Sequence, residues 1–208
     1  MSYRKENRFC RRRHEFGWLY AGANSSKDNP LGDGGEKLIW YGDDVNTEQI
    51  LKSSGKYNIN ARILHESDLA HGAVIMGRRT FDISIDQWGE NPPIHKPCFV
   101  ITSTPTKAII KDGGTSFTFV TGGIEEALML AKEAAGERGV CVMGGANIIR
   151  QFMQNGFLDE LHIHLRPVLL GEGIRLFENL EVAKIGLKKL KTIDTTEVTH
   201  FYYGFQRT

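Results

Sequence analysis

Val140-Cys141-Val142-Met143-Gly144-Gly145-Ala146-Asn147, followed by Ile148-Ile149-Arg150-Gln151-Phe152, is the stretch whose reading decides the fold. Four apolar residues halt at two glycines, the pattern of a strand buried on both faces. A helix over Ile148 to Gln154 follows, closed near Gly156. Strand, glycine turn and helix in this order set the glycines at a strand's carboxyl end.

The same alternation extends outward in both directions. Upstream, Asn58 to Ala70 is read as a helix ending near Gly72. Ala73-Val74-Ile75-Met76 is a buried strand stopped by Gly77, and Thr80-Phe81 begins a short helix. Cys98 to Ile101 and Ser116 to Val120 are two more strands. Ile124 to Ala135 carries Ile124, Ala127, Leu128, Ala131 and Ala135 at helical spacing. Downstream, Glu160 to Leu165 is a fifth strand running to Pro167, and Val198 to Gln206 alternates as a last one. Ala21 to Glu36, rich in Gly, Asn, Asp and Pro, is a loop, and Lys37 to Tyr41 starts a helix. Strands alternating with helices predict an α/β fold with a mostly parallel sheet, its last strand antiparallel at an edge.

Bulk properties narrow the function class. With 208 residues, 40% hydrophobic and 25% charged, the chain suits one globular domain. A net charge of +1 gives no overall pull toward nucleic acid or membrane. No apolar run approaches the roughly 20 residues of a membrane helix. The basic N-terminus lacks the apolar core of a secretory signal. Cys10, Cys98 and Cys141 are odd in number and widely spaced, which argues for a reducing cytoplasm and against a metal site.

Three strand ends carry residues suited to a dinucleotide. Gly144-Gly145-Ala146-Asn147 lets backbone approach a phosphate at a helix start. Gly77-Arg78-Arg79-Thr80 adds the planar fork of arginine. Thr102-Ser103-Thr104 supplies hydroxyls. Taken singly, each is more simply a tight turn, a solvated helix start or a polar turn. Ligands of open α/β sheets bind beyond the carboxyl ends of strands, where all three lie.

Val74-Ile75-Met76-Gly77-Arg78-Arg79-Thr80-Phe81, then Ile101 to Pro105, then Val142 to Phe152 together resemble the cofactor-binding signature of dihydrofolate-reductase-like proteins. Gly156-Phe157-Leu158-Asp159-Glu160-Leu161, with Pro167 to Gly173 and Leu176-Phe177, is similar to the C-terminal reductase domain of riboflavin-biosynthesis deaminase–reductases (RibD). Ala21 to Asn24 with Asn29 to Glu36 resembles the opening loop of that domain's stand-alone relatives. The resemblance covers residue 21 to the C-terminus.

It implies a dihydrofolate-reductase-like fold and NADPH as hydride donor. Gly77, Arg78 and Thr80 would hold the adenosine side, Thr102 and Ser103 would lie near the 2′-phosphate, and Gly144, Gly145, Ala146 and Asn147 would hold the pyrophosphate, with Arg79, Thr104, Thr121 and Ile148 as further cofactor-binding residues. Ala21, Gly22, Asn24, Trp40, Leu169, Leu170, Gly171 and Gly173 would border the substrate pocket. The implied substrate is a small heterocycle, pterin- or ribosylaminopyrimidine-like, and a homodimer is implied as well. The zinc signature of the deaminase half, H-x-E with P-C-x-x-C, does not occur in the chain.

One stretch departs from the family. Its first strand is apolar and leads to an S/N-L-D-G-F loop whose aspartate lies near the substrate. Here Arg11-Arg12-Arg13-His14-Glu15-Phe16-Gly17-Trp18-Leu19-Tyr20 stands instead. The first 16 residues hold six basic against two acidic side chains, a surplus of four, which leaves about −3 on the remainder. Three successive arginines are expected not to form a central strand, since one unpaired buried charge costs several kcal/mol.

Residues 1–18 are therefore set apart from the reductase domain, 19–208, as the product of a shifted reading frame. Lys5 to Tyr20, reverse-translated with CGN arginines and read one base later, admits K-K-I-V-F-V-A-V-A-M-N-L-D-G-F. Its glycine is forced, because TGG of Trp18 precedes a leucine codon. The other reading is a genuine basic extension. In that case the chain is an impaired or non-catalytic NADPH-binding protein, or, as a third reading, a nucleic-acid binder through its arginines.

The remaining candidates have simpler explanations. His162 and His164 share a strand face, without further metal ligands in evidence. Asp33 and Glu36 are solvated loop charges before they are substrate-facing acids. Glu172 beside the pocket is a weak proton-donor candidate, Cys141 a buried strand residue, and the catalytic residue stays unassigned.

Overall fold

The computed structural model describes residues 8–14, 19–39, 59–181 and 185–206, the first of these segments as backbone alone. The chain starts with β1 (Arg8–His14), β2 (Leu19–Gly22) and a short 3-10 turn at Gly35–Leu38. Then come α1 (Ile59–Ala70), β3 (His71–Gly77), α2 (Arg78–Trp88) and β4 (Pro97–Ile101). β5 (Ile109–Ile110), β6 (Ser116–Val120), α3 (Gly123–Ala135), β7 (Gly139–Gly144) and α4 (Ala146–Gln154) follow. The chain closes with β8 (Glu160–Leu165), β9 (Gly173–Arg175), β10 (Gly186–Asp194) and β11 (Thr199–Gln206).

Among the described residues nine strands form one sheet in the order β10-β11-β8-β1-β7-β3-β4-β6-β5, and β2 pairs with β9 apart from it. The pairings from β8 through β1, β7, β3 and β4 to β6 are parallel. β11 on β8, β10 on β11 and β5 on β6 are antiparallel. This is the expected α/β, dihydrofolate-reductase-like arrangement, with one shift: β11 lies inside the sheet and β10 forms the edge.

The alternation of each central strand splits the core in two. Ala73, Ile75, Val140 and Val142 face α3 and α4, burying Ala127, Ala131, Ile149 and Phe152. Val74, Met76 and Cys141 face the other way, with Phe81 of α2 and Phe117. Side chains buried on both faces explain why these strands are apolar without alternation.

The expectation for the arginine stretch is overturned at the level of backbone. Arg8–His14 lies between β7 and β8, with Arg12 in register with Ile163 and Cys10 with both Val142 and Leu161. The physical reason is that ladder hydrogen bonds are blind to side chains. Two strands as buried as β7 and β8 need a strand between them to satisfy their facing N–H and C=O groups.

Candidate functional site

Register sets four strand ends on one rim. Met76 pairs with Gly144, Gly77 with Ile101, and Ile101 with Val120. The carboxyl ends of β7, β3, β4 and β6 therefore stand side by side. Three steps of about 4.8 Å between strands make a rim about 14 Å long. The sequence-predicted residues Gly77–Thr80, Thr102–Thr104, Thr121 and Gly144–Ile148 all lie along it.

The rim is tightest between β3 and β7. A Cβ on Gly77 would sit 2.9 Å from Ile148 Cγ1, so only glycine lets α4 start this close. A Cβ on Gly145 would lie 3.4 Å from the Thr80 hydroxyl, which brings the two glycine turns face to face. Gly144 and Gly145 are joined by a cis peptide. Ile149 N–H donates to the Gly145 carbonyl, so the first turn of α4 leaves the N–H groups of Ala146, Asn147 and Ile148 without an intrahelical acceptor.

Toward β6 the rim carries charge and hydroxyls. Arg78 donates from Nε to Asp82 at 2.7 Å and from Nη1 to the Thr106 hydroxyl at 3.3 Å. Its guanidinium carbon lies 5.5 Å from the Phe119 ring centre. Ser103, Thr104 and Thr121 are exposed there. Thr102 Oγ1 accepts from the backbone N–H of Thr104 and shapes that turn.

The second group of predicted residues forms a wall beside the rim. Gly22 pairs with Gly173 and Ala21 with Ile174, which joins the opening loop to the segment after β8. Within the loop Asn24 and Asn29 donate to the two oxygens of Asp33, at 2.6 and 3.0 Å. Asp33 thus organises its own loop, while Glu36 and Glu172 are exposed. Leu170 reaches Gly34, Leu169 and Gly171 are exposed, and Trp40 lies outside the described residues. The Tyr20 hydroxyl donates to the Met143 carbonyl at 3.4 Å, and Arg79 Nη2 donates to the Ser25 carbonyl at 2.7 Å. These two bonds join wall and rim. Neither is visible in the sequence, because they link residues 123 and 54 positions apart.

The model of the RibD C-terminal domain matches residues 34–201. The chain belongs to the RibD C-terminal domain family. Among proteins similar to this RibD C-terminal domain, the uncharacterized protein YwjB of Bacillus subtilis strain 168 is 30% identical over 129 residues, covering 62% of this chain and 71% of its own. YyaP of the same organism is 27% identical over 129 residues, covering 57% of this chain and 65% of its own. A Shewanella sp. PV-4 protein named for riboflavin biosynthesis superposes with a TM-score of 0.68 at 19% identity over 97% of this chain and 99% of its own. The diaminohydroxyphosphoribosylaminopyrimidine deaminase/5-amino-6-(5-phosphoribosylamino)uracil reductase of Thermotoga maritima superposes with 0.61 at 12% identity over 97% of this chain and 57% of its own. At these identities the superpositions establish the fold.

Two other features of the chain lie away from the rim. A cavity of about 150 Å³ between α1 and β8, β10 and β11 is lined by Ser67, His162, His164, Lys191 and Tyr202, none of them a rim residue. His162 pairs with Glu160 at 2.9 Å, and the Nδ1 atoms of His164 and His200 share a 2.7 Å hydrogen bond while His200 Nε2 contacts Asn60. These histidines are ring-to-ring and ring-to-carboxylate packing. Among the described residues no group of three or more His, Cys, Asp or Glu is arranged to hold a metal ion. Nor is any described helix long and apolar enough to cross a membrane.

Proposed function

We propose that the protein is an NADPH-dependent reductase acting on a small heterocycle, pterin- or ribosylaminopyrimidine-like. The observation that carries the reading is the meeting of rim and wall. Four strand ends offering free N–H groups, hydroxyls and one stacked arginine run beside a loop wall built from β2 and β9. The names of relatives lend support: one is a reductase of a phosphoribosylaminouracil, and the Saccharomyces cerevisiae protein Rib7, named a riboflavin biosynthesis reductase, superposes at 12% identity.

The residues fit the cofactor. Gly77 lets α4 start close against β3, and the first turn of α4 there would present N–H groups to a phosphate. Gly144, Gly145, Ala146, Asn147 and Ile148 would hold the pyrophosphate. Arg78 and Thr80 would take the adenosine side, with Thr102, Ser103, Thr104 and Thr121 near the 2′-phosphate. NADPH bound there would supply hydride. The chain's own work is to hold two flat rings in contact and keep water out. Ala21, Gly22, Asn24, Leu169, Leu170, Gly171 and Gly173 border the substrate, and Asp33 keeps that border in shape.

The protein is read as cytoplasmic and as a homodimer, and light scattering checks the dimer. A second reading rests on the arginines of β1: a chain that binds NADPH without turning it over, for want of the family's aspartate where Gly17 stands. A fluorescence titration with NADPH, followed by NADPH oxidation with and without candidate pterins and aminopyrimidines, separates the two. Binding with oxidation supports the reductase. Binding without oxidation supports the second reading, and no binding removes both.

A further inference from the structure

The two adjacent arginines at the start of α2 point to different tasks. Arg78 reaches along the rim to Asp82, Thr106 and the face of Phe119. Arg79 reaches the opposite way, across to the opening loop, and donates to the Ser25 carbonyl at 2.7 Å.

That loop is a unit held by its own bonds. Gly22 N–H donates to Leu31, Asp33 N–H to Ala23 and Ser26 N–H to Asn29, and Asn24 and Asn29 grip the Asp33 carboxylate. Two contacts tie its tip to α2. One is the Lys27–Asp86 pair at 3.8 Å, with side chains 64% and 79% exposed, a geometry that contributes little. The other is the 2.7 Å bond from Arg79, also open to water, in which a charged donor meets a carbonyl at hydrogen-bond distance.

We infer that Arg79 is a loop-positioning residue, which pins the opening loop to α2 and so sets the distance between the substrate wall and the cofactor rim. This deepens the reductase reading and rests on it for its meaning, but the bond itself can be tested without it. It reassigns Arg79 away from the cofactor contact that the sequence suggests, and leaves the phosphate-facing role to Arg78.

The test compares Arg79→Ala, Arg79→Lys and Arg78→Ala with the parent protein. Limited trypsin digestion, followed by mass spectrometry, reads the rate of cleavage after Lys27 at the loop tip. Losing this solvent-exposed hydrogen bond should raise that rate about threefold in Arg79→Ala. Lysine still offers an N–H to the carbonyl, so Arg79→Lys should restore most of the protection. Thermal denaturation checks that all variants are folded, which the exposure of Arg79 favours. NADPH affinity should fall further in Arg78→Ala than in Arg79→Ala.

Parental cleavage rates at Lys27 in Arg79→Ala would overturn the assignment. So would a loss of NADPH affinity in Arg79→Ala equal to that of Arg78→Ala. If the parent protein binds no NADPH, the cofactor reading fails, and the cleavage rates alone decide the role of Arg79.

Discussion

Arg12 stands in register with Ile163, a core residue 1% exposed, in the middle of a nine-stranded sheet. The seven residues of β1, Arg8–His14, are the ones that read V-F-V-A-V-A-M one base later. That is the composition which a strand between β7 and β8 calls for. The backbone thus occupies the apolar slot, and the written sequence fills it with basic residues. We propose that the frame of the gene is shifted here. Sequencing should find that the codons of Arg8, Arg11, Arg12 and Arg13 are all CGT or CGC, because only those give valine or alanine in the other frame. A CGA or CGG codon, or an AGA or AGG codon, at any of the four contradicts the proposal.

Gly77→Ala should damage both fold and site. Its Cβ would press on Ile148 at the start of α4, and overpacking of this kind costs about 1–3 kcal/mol. Thermal melting should show the loss, and NADPH affinity should fall with it, because the displaced turn is the one that offers free N–H groups. A variant with parental melting temperature and affinity would show that the approach of β3 to α4 is not what shapes the rim.

Cys98 makes stability depend on alkaline pH. Burial, with the nearby Cys141 adding to it and Lys96 opposing, pushes its thiol from 9.0 up to about 12. A raised value means that the folded state holds the proton more tightly than the unfolded chain. The contribution is therefore complete below pH 9 and is lost as pH rises toward 12. That difference corresponds to at most about 4 kcal/mol. Urea denaturation of the parent and of Cys98→Ala should give a stability gap that narrows between pH 9 and 12. A gap that is constant over that range contradicts the assignment. The same burial predicts slow reaction of Cys98 with thiol reagents in the folded protein at neutral pH.

The central part of the fold is legible in the sequence because its signals are local. Val140–Met143 stopped by Gly144, and Ala73–Met76 stopped by Gly77, each mark a buried strand and its end. α2 starts two residues earlier than Thr80, because Gly77 stays extended and Arg78 already takes the helical turn. β10 is harder to see. Gly186–Asp194 is a lysine-rich, largely exposed edge, and a register shift between Lys189 and Lys191 breaks its alternation. β2 and β9 are four and three residues long and carry no pattern of their own. Of the site, the rim was legible, since each strand end bears its own glycines or hydroxyls. The bonds joining rim to wall, Tyr20 to Met143 and Arg79 to Ser25, were not, because only the tertiary fold brings those residues together. Asp82, one helical turn from Arg78, had a readable signal in its spacing.

The most direct test is a titration of the protein with NADPH and, separately, NADH, followed by quenching of protein fluorescence. The reductase reading predicts saturable binding with NADPH preferred, and a loss of that preference in Arg78→Ala. Absence of binding to either nucleotide would contradict it.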